Sequence, residues 1–137
     1  MDEIKFELYG RNTKDRDLQQ QDWDVIYQEM YRRIEYVLKQ GKIVVQDTGN
    51  FTKHERGLVR RIADRLHIKT ATIYIDTPKE IAYKRLLSNR GRGGRFDVSD
   101  ADFESTIREL EMPTAEENVL VFHHTDEAES WIDTRFR

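Results

Sequence analysis

Cysteine is absent from the 137 residues, and there are only two prolines and seven glycines. Without a thiol there is no disulfide, no thiolate zinc site and no cysteine nucleophile. Long apolar runs are missing as well. The longest are three or four residues, such as Val119 to Phe122, far short of the ~20 needed to cross a membrane as a helix. Nor is there an excess of positive charge. Lys and Arg number 23 against 26 Asp and Glu, a formal net charge of −3. That excludes a dominant basic field for nucleic acid and leaves local basic patches open. The opening Met1-Asp2-Glu3-Ile4-Lys5 has no apolar signal region, so the expected location is the cytoplasm. What is present is a mixed chain, 37% hydrophobic and 36% charged, with two Trp, six Tyr and six Phe. Those aromatics are anchors that disordered chains lack, and the length suits one domain with its own core.

Periodicity divides the chain into alternating elements. Trp23, Ile26, Tyr27, Met30, Ile34, Val37 and Leu38 recur at spacings of three and four, which predicts an amphipathic helix over 22–39 stopped at Gly41. Lys42-Ile43-Val44-Val45-Gln46-Asp47 is short and β-branched and reads as a strand. Thr52 with Glu55 forms a capping box for a helix that buries Leu58, Val59, Ile62, Ala63 and Leu66. Residues 70–76 read as a second strand, and Thr77-Pro78-Lys79-Glu80 as the start of a helix reaching about Asn89. Ser99-Asp100-Ala101-Asp102 caps a further helix ending before Pro113. Residues 118–123 read as a third strand and 126–132 as a short closing helix. Strand and helix in alternation, with right-handed crossovers, predict an α/β class: a parallel sheet with flanking helices.

Ligands of open parallel sheets bind beyond the carboxyl ends of the strands. Two predicted strands end in aspartate, Asp47 and Asp76. Asp47 opens the polar loop Asp47-Thr48-Gly49-Asn50, which offers a carboxylate to Mg²⁺ and a carboxamide to a phosphate or a neighbouring loop. Asp76, before Thr77-Pro78, is explained well by capping. Arg85, Arg90, Arg92 and Arg95 stand around Gly91, Gly93 and Gly94. Guanidinium groups match phosphate oxygens bidentately and glycines permit hinging, the composition of a phosphate-clamping lid over about 90–98. A solvated loop or a small Arg-Gly-Gly RNA tract has the same composition. His54, His67, His123 and His124 have no metal-binding spacing, and His123-His124 reads as surface solvation. Trp23 and Trp131 read as packing residues.

These motifs, in this order, resemble the P-loop kinases of the polynucleotide-kinase and zeta-toxin type, often labelled AAA-family ATP-binding proteins. The segment Asp2 to Gly10 resembles the family's stretch after its second strand. Val44 to Phe51 resembles its strand ending in an aspartate and a following asparagine. Ile73 to Pro78 resembles its next strand, and Arg85 to Arg90 followed by Arg95 its arginine lid. The resemblance implies ATP-dependent phosphoryl transfer to a hydroxyl, with ATP and Mg²⁺ as cofactors. It makes Asp2 the general base, Arg85 and Arg90 catalytic, Asp47 the metal-side carboxylate, and Lys5, Asn50, Arg92 and Arg95 phosphate contacts. Lys5 stands where the family has an arginine, which loses the bidentate fork. Gln46 interrupts a strand that is normally apolar.

The family's phosphate cradle, Gly-x-x-x-x-Gly-Lys-Ser/Thr, has no counterpart among these residues; Gly10-Arg11-Asn12, Gly41-Lys42-Ile43 and Gly91-Arg92-Gly93 all fail it. The expectation is therefore a truncated fold of about three strands, compacted or completed by a dimer through open sheet edges. Kinase activity in the chain on its own is expected to be absent or severely impaired. Two alternatives stand beside it: a non-catalytic module for a nucleotide, RNA or another phosphorylated ligand, and an interaction protein that recruits a chain at its sheet edge. Nucleic-acid binding is expected to be weak, and no membrane partner is expected.

Overall fold

The computed structural model describes residues 1–90 and 98–136. These form two compact units, Met1–Asn50 with His54–Lys69, and Phe51–Lys53 with Thr70–Arg137.

The first unit is helical. Helix α1 (Asp2–Tyr9) ends at Gly10, whose φ of +93° suits a residue without a Cβ. Helix α2 (Gln20–Lys39) covers the predicted span, and the Asp22 carboxylate accepts from the Gln19 amide at 2.8 Å to close its first turn. Helix α3 (Lys53–Arg65) follows. Ile4 from α1, Ile26, Met30 and Ile34 from α2 and Ile62 from α3 make the core. Ile26 is completely sealed. Tyr27, Tyr31, Trp23, Val59 and Leu66 pack around that cluster as the helical period requires. Gly57 sits within α3, and a Cβ there would meet the Arg61 guanidinium at 3.2 Å.

An ion-pair chain ties α1 to α2. Arg33 bridges Glu7 and Glu29, and Arg32 also reaches Glu29, at 2.6 Å. Two guanidinium groups hold the Glu29 carboxyl down to about 2.

The second unit contains a parallel pair of strands, β1 (Thr72–Asp76) and β2 (Val119–His123), with Thr72 opposite Val119 and Asp76 opposite His123. The helices are α4 (Lys79–Asn89), α5 (Asp100–Glu109) and α6 (Ala128–Phe136). Ser99 caps α5 by accepting from the Asp102 amide at 3.1 Å, as its sequence predicts. Trp131 of α6 is buried, lies edge-on to Phe122 of β2, and donates its indole N–H to the Val121 carbonyl at 2.9 Å.

The chain is thus α/β with a parallel sheet, but the described residues show two strands and not three. Lys42–Asp47 is the departure. It has no ladder partner among the described residues, yet from Ile43 to Asp47 its residues alternate between exposed and half-buried as an extended chain does. Val44 packs on the core, while Ile43 and Val45 are 92% and 82% exposed. A β-branched run prefers the extended form, but only a neighbouring backbone turns it into a strand. None of the described helices is long and apolar enough to cross a membrane.

Candidate functional site

The loop Asp47-Thr48-Gly49-Asn50 follows the extended segment and is closed upon itself. Asn50 adopts a left-handed φ of +51°, a conformation that asparagine tolerates best among residues with a Cβ. Its side-chain amide donates to Gln46 Oε1 at 2.6 Å and to the Thr48 carbonyl at 3.4 Å, and the Gln46 amide in turn donates to Thr48 Oγ1. From beneath, the buried Arg56 of α3 donates to the Asn50 carbonyl at 3.2 Å. Asp47 stands out from this knot, exposed. It borders a groove of about 300 Å³ whose lining includes Met1, Met30, Ile34, Val44, Gln46 and Thr48. Gln46, an interruption when judged as a strand residue, is the loop's main fastener. Neither that nor the role of Arg56 was visible in residue order.

Asp2 and Lys5 share α1 at a spacing of three, with Lys5 Nζ 3.6 Å from the Asp2 carboxylate. The stronger partner is Asp15, at 2.6 Å. Lys5 is buried and this hydrogen bond raises its ammonium above the ordinary lysine range. The Asp2 carboxylate is 81% exposed and open to a ligand.

Arg85 and Arg90 belong to the second unit. Arg85 is exposed on α4. Arg90 caps the end of α4 and bonds to Asp100 at the start of α5 and to the Val98 carbonyl at 3.3 Å. Arg90 pulls the Asp100 carboxyl below its usual range, and Tyr83 adds a hydrogen bond at 3.1 Å. Arg92 and Arg95 lie outside the described residues. At the carboxyl ends of both strands, Asp76 Oδ2 lies 2.9 Å from His123 Nδ1, a pairing fixed by the ladder register.

The expected residues therefore gather into local sets: Asp2 with Lys5, Asp47 with Asn50 through their loop, and Arg90 with Asp100. The AAA domain family matches residues 1–113 of the chain, which takes in all of these sets. The chain belongs to the AAA domain family. That makes it a P-loop NTPase-like domain, in a family whose ligand is generally a nucleotide with Mg²⁺. No curated protein and no solved structure matches.

Magnesium at phosphate sites is held by one or two carboxylates, waters and the phosphate oxygens, not by an all-protein cage. A single exposed carboxylate such as Asp47 fits that mode. Among the described residues no group of three or more His, Asp or Glu is arranged to hold a metal by itself. The nucleotide phosphates would have to complete any such site.

Proposed function

We propose that this AAA domain is of the phosphoryl-transfer kind, built to handle ATP with Mg²⁺ and to phosphorylate a hydroxyl, and that these 137 residues alone are severely impaired in that reaction. The observation that carries the reading is the family match over residues 1–113, because it runs through Asp2, Lys5, Asp47, Asn50, Arg85 and Arg90. In this reading Asp2 accepts the proton of the acceptor hydroxyl. Asp47 faces the metal, and Arg85 and Arg90 neutralise charge on the transferring phosphates.

Impairment follows from the residues. Phosphoryl transfer is accelerated almost wholly by positioning and charge stabilisation, and no Gly-x-x-x-x-Gly-Lys-Ser/Thr loop occurs among them. Side chains that could compensate are engaged: Lys5 by Asp15, Asn50 by Gln46, and Arg90 by Asp100. Titration of ATP–Mg²⁺ into the chain by calorimetry tests this. The expected result is no binding in the micromolar range. Micromolar binding, or transfer of the γ-phosphate at an enzyme-like rate that depends on Asp2 and Asp47, overturns it.

The missing cradle leaves room for a second reading, a non-catalytic module that takes a phosphorylated ligand through Arg90, Arg92 and Arg95. It requires weak binding of a polyphosphate that falls steeply with salt. Replacing the three arginines by alanine must abolish that binding.

A further inference from the structure

We propose that Asp15 is a displaceable stand-in for a phosphate group: it closes the anion position at Lys5, and an acceptor that carries a phosphate opens it by taking the carboxylate's place. This rests on the reading of Lys5 as a phosphate contact and adds how that contact is gated.

The Lys5 side chain is buried, only 8% exposed, although lysine heads ordinarily stay in water. A buried ammonium without an anion is costly, so the position must always be filled. Two carboxylates serve it, Asp15 at 2.6 Å and Asp2 at 3.6 Å, and Nζ lies 4.9 Å from the centre of the Phe6 ring. Asp2 is the looser and more exposed of the two, so Asp15 is the partner that satisfies the charge.

A surface turn brings Asp15 to the ammonium, not a core element. Asp15–Asp17 form one turn of 3-10 helix with no buried residue. The chain around it is fastened at two ends. Thr13 donates its hydroxyl to the Tyr9 carbonyl at 2.6 Å, and Leu18 packs on the helical core. Between those points the bonds are local: Asp17 N–H to the Lys14 carbonyl at 2.9 Å, Leu18 N–H to the Asp15 carbonyl at 3.2 Å, and Lys14 N–H to the Asp17 carboxylate at 3.3 Å. Among the described residues, the Asp15–Lys5 pair is the single hydrogen bond or ion pair joining 14–17 to another element.

Swinging this turn outward therefore breaks one interaction, and the Asp15 carboxylate, already 39% exposed, is hydrated as it leaves. Opening alone would strand a buried ammonium. An entering phosphate removes that penalty, because its oxygen accepts the same charge-assisted hydrogen bond. Asp2, at 81% exposure, turns into solvent away from the newcomer's like charge.

Inorganic phosphate is the probe, titrated into the 137-residue chain at about 0.15 M salt and followed by amide NMR. In the unmodified chain it should shift the amides of residues 14–17 and lower their heteronuclear NOEs, a measurement that needs no variant to fold. Asp15→Asn keeps the shape and removes the charge. It should tighten phosphate binding by about tenfold or more, the low end for a hydrogen bond between charged groups. Lys5→Met should abolish binding. Asp17→Asn takes the same charge from the same turn without touching Lys5, and should change the affinity by less than about twofold, since exposed charges are screened.

Equal gains in Asp15→Asn and Asp17→Asn would reduce the effect to net charge and overturn the gate. So would no gain in Asp15→Asn, or Lys5-dependent binding that leaves the turn amides unmoved; in each of these cases Lys5 remains a phosphate contact. Binding that survives Lys5→Met, or no binding in any variant, overturns the gate and the phosphate role of Lys5 together.

Discussion

Replacing Asn50 tests the self-closed loop directly, because alanine and glycine separate its two physical contributions. Alanine removes the side-chain bonds to Gln46 and Thr48. At these half-buried positions each is worth about 0.5–1 kcal/mol. Alanine also keeps a Cβ in the left-handed region, where asparagine is partly relieved by local hydrogen bonding and alanine is not, a further cost of about 1 kcal/mol. The expected loss for Asn50→Ala is then about 2–3 kcal/mol. Asn50→Gly loses the same bonds but fits φ +51° without strain, so its loss should be about 1–2 kcal/mol. Urea denaturation followed by far-ultraviolet circular dichroism reads both. The expected order is wild type, then Gly, then Ala. If alanine and glycine are equal, Asn50 is not left-handed in solution. If glycine matches wild type, the network through Gln46 contributes nothing.

Other substitutions report on the scaffold. Ile26→Ala, at the fully sealed centre of the α1–α2–α3 core, should cost about 3–4 kcal/mol in the same assay, the range for deleting three buried carbons with partial collapse. Ser99→Ala removes the cap of α5 and should cost about 1 kcal/mol. The Glu29 carboxyl, lowered to about 2, titrates below its unfolded value. Its contribution is therefore complete above about pH 5 and is lost as pH falls toward 2. Carboxyl carbon shifts in Arg33→Met should show Glu29 moving back toward the ordinary glutamate range, since one of its two guanidinium partners is gone.

Sequence and structure agree at several elements set by a local rule, though not at the capping box read over Thr77–Glu80, where α4 starts at Lys79 with Pro78 as its cap and no side-chain cap bond. Helix α2 is legible because its apolar residues keep a helical period along a whole face, and α5 because Ser99 and Asp102 stand at capping distance. The parallel pair β1–β2 is legible because two β-branched runs are separated by helices that force a crossover. Lys42–Asp47 has the same local preference and fails to form a strand, since a ladder depends on a neighbour that sequence does not specify. Helix α1 has no strong apolar period to announce it. At the candidate site, Asp47 and Asn50 could be singled out as a polar loop after a β-branched run. The inward use of the Asn50 amide could not, because it depends on a left-handed backbone and on Gln46. Lys5 and Asp15 are ten positions apart and meet only because the chain reverses after Gly10. Burial of Arg56 likewise comes from packing, not from any motif.

The two tryptophans fall one to each compact unit, Trp23 against the core of the helical one and Trp131 against β2. Each part of the molecule thus carries its own fluorophore. Their optical surroundings differ: Trp23 packs against apolar side chains, while the Trp131 indole is tied to a strand carbonyl and shielded edge-on by Phe122. With either indole exchanged for phenylalanine, emission from the other follows the melting of one half of the chain alone.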